Sequence, residues 1–355
     1  MIKSIQIENL RGIKKCLIEN LEQVNILIGK NGAGKSTVLE AVYLASAWAQ
    51  PFDEYRLEHK LDYVISRRMN RGSWKDSREI LWHKLDTSNQ VRILLSLEKT
   101  TLEFVLADTT TKTIWLKLPR KIDKWHYYSL EQKKATDELF AITGINADIH
   151  ELVIKTYLGQ INFLEKIAFL DQNLTQYGRN FEKKIWPSLL AKRLDKELVS
   201  MIKEEYEPQA EGLTYMPIGS EYTLALQLAD TTVRVDDLGD GAKNAIIYVA
   251  ALLTLRNTAV LIEEPETHQH PAGLATVLSF MLKIAKQNNL QLIITTHSIE
   301  LIKIVQELVR KHELPLKIFY LERTENGIVD VRELKKIDLQ ILEKLGLDPR
   351  FLYIL

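Results

Sequence analysis

The chain has 355 residues, a formal net charge of +0, and 46% hydrophobic and 26% charged residues. This is an ordinary globular composition, long enough for a large core and for one domain carrying an insertion. Neutrality excludes a global field drawing the chain to nucleic acid or membrane, so any DNA contact has to be a local patch. The single Cys16 excludes an internal disulfide and fits a reducing compartment, by default the cytoplasm. No N-terminal signal is evident and no apolar stretch approaches about 18 residues, so no membrane span is expected.

Residues 2–28 read as a small β meander, with polar–apolar alternation over 3–8, a second strand near 16–18 and a buried strand over 24–28. Arg11, Lys14 and Lys15 precede that last strand and read equally well as nucleotide contacts or as surface charge. Residues 29–37, GKNGAGKST, complete a phosphate-binding loop, and Lys35 opens a helical stretch through Trp48. Gly29, Gly32 and Gly34 let the backbone curl, with Asn31 and Ala33 between them, so that its N–H groups face phosphates at a helix N-terminus. Lys35 would contact the β- and γ-phosphates, Ser36 would place its hydroxyl on Mg²⁺, and Thr37 would hydrogen-bond a phosphate. A nucleoside triphosphate is the expected ligand, because the full pattern with its flanks is far more specific than an unliganded glycine turn.

Arg67, Arg68, Arg71, Lys75 and Arg78, with Trp74 among them, form the most basic stretch. A solvated face is expected rather than a DNA contact, since Asp76 and Glu79 interrupt the run. Residues 79–118 read as an antiparallel β section, with Val91, Ile93, Leu95 and Leu97 on one face. After Pro119 helical patterns run from about 130 to 207, closed by Pro208 and Gly212, and read as an inserted helical lobe. Strands return at 213–216 and 222–228, and the rest alternates helix and strand.

Residues 237–244, DLGDGAKN, precede a helix expected over 245–256. They read either as an anion site at a helix N-terminus or as a turn in which Asp240 caps its own helix. Residues 259–265, AVLIEEP, form a buried strand ending in two carboxylates. Glu263 would face Mg²⁺ and Glu264, where the chain turns, would activate water; the alternative is a merely polar strand end. Glu266, His268 and His270 are spaced for an irregular turn rather than for a metal site. Residues 291–296, QLIITT, are another buried strand, ending at His297, which would reach the γ-phosphate, with Ser298 and a helix after it.

Taken together, GKNGAGKST, LGDGAKN, VLIEEPETHQHP and IITTHS, in this order, resemble the nucleotide-binding head of the ABC ATPase superfamily. More closely they resemble the overcoming-lysogenization-defect type, a relative of SMC and double-strand-break-repair heads. The opening IQIENLRGIKK and the ending IFYLERTENGIVDVRELK with LGLDPRFL, a closing hairpin and helix, extend the likeness over nearly the whole chain. The resemblance implies an α/β P-loop NTPase head with an N-terminal antiparallel β section and an inserted helical lobe. Its parts would be 1–120, with the phosphate-binding loop; 121–212, the helical, dimerising insertion; and 213–355, with the signature-like, carboxylate and histidine motifs.

In such heads two subunits sandwich two ATP molecules with Mg²⁺, the phosphate loop of one facing the signature helix of the other. Carried over, residues 29–37 bind phosphates, Ser36 and Glu263 serve Mg²⁺, Glu264 activates water and His297 senses the γ-phosphate. Gly239, Gly241 and Lys243 would complete the site across a homodimer. The usual signature has serine where Gly239 stands and glycine at Asp240, which brings a carboxylate near the triphosphate, and Glu263 replaces the commoner aspartate. For the glutamine loop, His83 and Gln90 lie in the right region. A Toprim nuclease domain has no room before Leu355, so an effector such as a nuclease is expected as a separate polypeptide, in DNA transactions or phage defence. Two rivals stand beside this ATPase: a nucleotide-gated scaffold with little turnover, and the motor subunit of a membrane transporter, disfavoured by the signature, by EEPETHQHP and by the insertion.

Overall fold

The computed structural model describes residues 1–68, 73–107, 111–118, 126–136 and 147–335. Arg71 and the closing helix expected from LGLDPRFL lie outside the described residues.

The chain opens with β1 (Ile2–Leu10), which buries Ile2, Ile5, Ile7 and Leu10 and pairs with β2 (Ile13–Ile18). Next, β3 (Val24–Ile28) is buried throughout, as a strand covered on both sides must be, with Asn25 the one polar side chain, bonded to the carbonyls of Glu22 and Leu292. The helix α1 (Lys35–Ser46) follows it. Two short strands, β4 (Phe52–Asp53) and β5 (Glu58–His59), lead to α2 (Lys60–Ser66) and α3 (Trp74–Ser77). An antiparallel run comes next: β6 (Val91–Leu97), β7 (Thr100–Leu106), β8 (Trp115–Lys117), β9 (Tyr127–Ser129) and β10 (Lys134–Thr136).

The middle of the chain holds α4 (Ala147–Leu164), β11 (Ala168–Leu170), α5 (Gly178–Ala191) and α6 (Asp195–Glu205). A three-stranded sheet of β12 (Ala210–Ile218), β13 (Glu221–Leu228) and β14 (Thr232–Arg234) leads into α7 (Asp240–Thr254). The remainder alternates: β15 (Ala259–Glu263), α8 (Pro271–Gln287), β16 (Gln291–Thr295), α9 (Ile299–His312), and the hairpin β17 (Leu316–Arg323) and β18 (Ile328–Glu333).

Among the described residues one sheet has the order β10-β9-β8-β7-β6-β1-β2-β18-β17-β3-β16-β15-β11. Its β17-β3-β16-β15-β11 part is parallel, and the antiparallel section continues the same sheet. This corrects the meander expected over 2–28, because β18 and β17 stand between β2 and β3. A strand buried on both faces belongs in the middle of a parallel sheet, where a meander cannot put it. Residues 79–90 are also not strand: Arg78–Leu81 and His83–Leu85 form short 3₁₀ turns before β6 begins.

Among its described residues the segment 121–212 does not form one helical body. Ile149, Val153, Tyr157 and Ile161 of α4 pack with Leu27, α1 and the antiparallel strands in one core. The helices α5 and α6 pack with Val24, Ile26, α7 and α8 in a second core on the other side of β3. Between them β11 returns the chain to the sheet beside β15. Its three residues are too few for periodicity to reveal.

Registers pair Leu170 with Ile262, Glu263 with Thr295, and Thr295 with Leu27. The residues after β3, β16, β15 and β11 therefore meet at one edge, the carboxyl ends of parallel strands, where open α/β sheets bind ligands.

Candidate nucleotide site

The phosphate loop is shaped by two close approaches. A Cβ on Gly29 would lie 2.3 Å from the Leu321 carbonyl oxygen, and Gly34, at φ 102, would press a side chain to 3.1 Å from Ile13 Cδ1. Only glycine takes that backbone without strain. Lys35 folds back over the loop, its Nζ donating to the carbonyls of Gly29 (2.9 Å) and Lys30 (3.1 Å). Burial pushes this ammonium down to about 8, against the opposing pull of Glu264, Glu263 and Glu266. Asn31 and Gly32 are exposed, and Ala33 is buried beneath them. The Thr37 hydroxyl lies 3.4 Å from Arg68 Nη2.

Glu263 ends β15 and meets the Ser36 hydroxyl. Burial raises its carboxyl, opposed by Arg67 and by that hydrogen bond. Hydroxyl and carboxylate form an oxygen-only donor set that fits Mg²⁺. At Glu264 the backbone turns into the left-handed region (φ 46), and the carboxylate comes to rest 3.3 Å from His297 Nε2. Glu266 holds that histidine from below: its Oε1 accepts from Thr296 Oγ1 (2.6 Å) and from the His297 amide (3.0 Å). Ser298 then caps α9 by accepting from the Leu301 amide (3.1 Å). The Glu/His cluster is thus divided among local duties. His270 caps α8, and among the described residues no group of His, Cys, Asp and Glu could hold a metal by itself.

The structure moves the signature residues. Helix α7 starts at Asp240, five residues before the expected 245, and Gly239 is its N-cap. Asp240 therefore does not cap the helix; it is exposed and lies 3.8 Å from Lys243. The Gly241 carbonyl accepts from Gln269 Nε2 (2.6 Å), and Gln269 Oε1 accepts from the Tyr206 hydroxyl (2.8 Å). Gly239 and Gly241 line a separate cavity of 370 Å³ with His268, Gln269 and His270, rather than the cavity of the phosphate loop.

Residues that sequence reasoning did not assign to the site also stand there. A cavity of 320 Å³ beside Ser36, Glu263 and Glu264 is also lined by Arg67, Asp171 and Gln172. Arg67 is buried on Glu40, Asp171 and Glu263, so the solvated-face reading is corrected for it; Arg68 is more open but pairs with Glu40 at 3.0 Å. Glu40 itself is fully buried, and Arg11 reaches it at 2.8 Å, while Lys14 and Lys15 are exposed. Burial alone would raise the Glu40 carboxyl, but Arg11, Arg68 and Arg67 together hold it below its ordinary value. Neither His83, bonded to the Arg11 carbonyl (2.9 Å), nor Gln90, whose carbonyl accepts from Asn9, lines this cavity. The glutamine that does is Gln172, which follows β11 and donates to Thr267 Oγ1 (2.8 Å).

Residues 24–303 match the family described as AAA domain, putative AbiEii toxin, Type IV TA system. The chain belongs to this family. It is 22% identical to an ATP/GTP phosphatase of Helicobacter pylori, over 93% of this chain and 94% of that protein. It is 56% identical over 45 residues, 13% of this chain and 5% of the relative, to the DNA double-strand break repair Rad50 ATPase of Methanopyrus kandleri. In fold it is similar to a solved SMC head bound to the C-winged helix domain of ScpA, with a TM-score of 0.53, 11% identity, and coverage of 95% of this chain and 99% of that one. Family and fold together make the chain an ABC-type ATPase head with a fold similar to that of a solved SMC head. Among the described residues no helix is long and apolar enough to cross a membrane.

Proposed function

We propose that two copies of this chain sandwich Mg²⁺-ATP and hydrolyse it, and that the resulting conformational cycle drives a separate effector. The observation that carries this reading is the Glu264–His297 contact of 3.3 Å on the same sheet edge as Lys35 and the Ser36–Glu263 pair. Residues 29–37 would hold the phosphates, with Lys35 neutralising them. Ser36 and Glu263 would hold Mg²⁺, which supplies neutralisation of the triphosphate charge. Glu264 would take the proton of the attacking water, with His297 beside it facing the γ-phosphate and Glu266 fixing the histidine backbone. Gln172, which lines the cavity beside Ser36 and Glu263, would serve as the glutamine loop.

Gly239 and Gly241 line a different cavity from the phosphate loop, which supports their acting, with Lys243 on the same helix, on the nucleotide of a second copy. Leu152 and Leu158, exposed on α4, support a contact role for the 121–212 segment. The likeness to a DNA double-strand break repair ATPase supports a part in DNA transactions; a cytoplasmic setting and a separate effector, such as a nuclease in DNA transactions or phage defence, belong to the same proposal.

One observation favours the gated-scaffold alternative. The Asp240 carboxylate is 70% exposed at the head of α7, with Lys243 at 3.8 Å to offset it, and would repel a triphosphate docked there. Phosphate release by wild type beside Lys35→Ala and Glu264→Gln tests the choice. Turnover lost in both variants supports hydrolysis; wild-type binding without turnover supports the scaffold.

A further inference from the structure

Arg67 follows the last residue of α2, and each edge of its guanidinium meets a carboxylate from a different element. Nε donates to Asp171 Oδ2 (3.2 Å), Nη1 to Glu40 Oε1 (2.6 Å), and Nη2 to Glu263 Oε2. The face of the group lies 4.8 Å from the Phe169 ring centre, and the Arg67 carbonyl accepts from Asn173 Nδ2 (3.2 Å). Plane, edges and backbone are therefore all fixed.

The three carboxylates are not equivalent. Glu40 is shared with Arg11 and Arg68, and Asp171 with Arg56 (2.9 Å) and the Tyr63 hydroxyl. For Glu263, Arg67 is the only cation within ion-pair distance among the described residues. Two well-anchored carboxylates thus hold the guanidinium, and the guanidinium in turn holds Glu263 against Ser36. A lysine ammonium, a point charge on a flexible stem, cannot reproduce a planar fork meeting three acceptors.

We propose that Arg67 is a positioning residue for the metal carboxylate: it ties Glu263 to α1 through Glu40 and to the end of β11 through Asp171, so that Ser36 and Glu263 form a prearranged pair for Mg²⁺. This rests on the reading of Glu263 as the metal carboxylate. Outer-shell partners of metal ligands typically change metal affinity or activity by about 10- to 100-fold when removed.

The test is a Mg²⁺ titration of ATP turnover and of fluorescent-ATP binding for wild type, Arg67→Ala and Arg67→Lys, with nucleotide binding in EDTA and a thermal melt as companions. The expected result is a half-saturating Mg²⁺ concentration raised about 10- to 100-fold in Arg67→Ala and by less in Arg67→Lys, with EDTA-state nucleotide affinity unchanged. If Arg67→Ala does not fold, the rise in Arg67→Lys decides. A folded variant with unchanged half-saturation overturns the positioning role, and one with lowered half-saturation makes Arg67 a competitor of the metal. A wild type that binds nucleotide without any Mg²⁺ dependence overturns the metal reading of Glu263 itself.

Discussion

Raising the pH perturbs one group at the centre of the site, Lys35. Burial lowers its ammonium from an ordinary 10.5 to about 8 in the nucleotide-free protein. Triphosphate oxygens placed against it favour the charged form and restore a value near the ordinary one. Nucleotide binding above pH 8 must therefore take up a proton. At pH 9 a group with a value of about 8 is charged in roughly one molecule in ten, so the apparent affinity should be about tenfold weaker than at pH 7, or about 1.4 kcal/mol. Folding carries the opposite sign. The unfolded chain binds more protons than the folded one between about 8 and 10.5, so this residue adds stability as pH rises through that window. The assay is calorimetric titration with a nonhydrolysable ATP analogue in EDTA at pH 7, 8 and 9, in buffers of different ionisation enthalpy. Near-complete uptake of one proton at pH 9 is expected. A pH-independent affinity with no buffer dependence would refute the claim that buried Lys35 faces the phosphates.

Replacing Glu40 by Gln leaves Arg11 and Arg67 buried without their shared anion, so chemical denaturation should show a loss of about 3 kcal/mol; a loss under about 1 kcal/mol would mean the arginines redistribute onto Asp171 and Glu263. Glu266→Ala removes both hydrogen bonds that fix Thr296 and the His297 amide, and should lower kcat by up to about 10²-fold with KM little changed, while Glu266→Gln, which keeps an acceptor there, retains most activity. An alanine at Gly241 would place its Cβ 2.7 Å from the His268 carbonyl oxygen and move the signature turn. Sedimentation should then show weaker ATP-dependent association with unaltered nucleotide binding by the single subunit; loss of binding would place Gly241 in the subunit's own phosphate site.

Those parts of the site that rest on contiguous residues were readable directly. A glycine loop between an apolar strand and a helix, carboxylates at a strand end and a histidine at the next strand end are local patterns, and a parallel sheet gathers strand ends onto one edge. The residues around Arg67 were not readable because their meaning is long-range. Arg67 stands in a run of basic residues that reads as solvent-facing, and nothing local shows that Glu40 lies 27 positions upstream to receive it. Asp171 and Gln172 follow a three-residue strand inside a Lys- and Glu-rich segment, where only pairing with β15 gives them a place in the site. The start of α7 was misplaced for another reason: Asp240 is a good capping residue by type, but the chain uses Gly239 at that position and leaves Asp240 facing solvent.

The most direct measurement is phosphate release by the purified chain with Mg²⁺-ATP, wild type beside Glu264→Gln, while subunit mass is followed by light scattering. The expected result is turnover in the wild type and its loss in the variant, which instead accumulates as an ATP-dependent dimer. Equal turnover in both proteins, or a variant that stays a single subunit at saturating ATP, would contradict hydrolysis by Glu264 within a nucleotide sandwich.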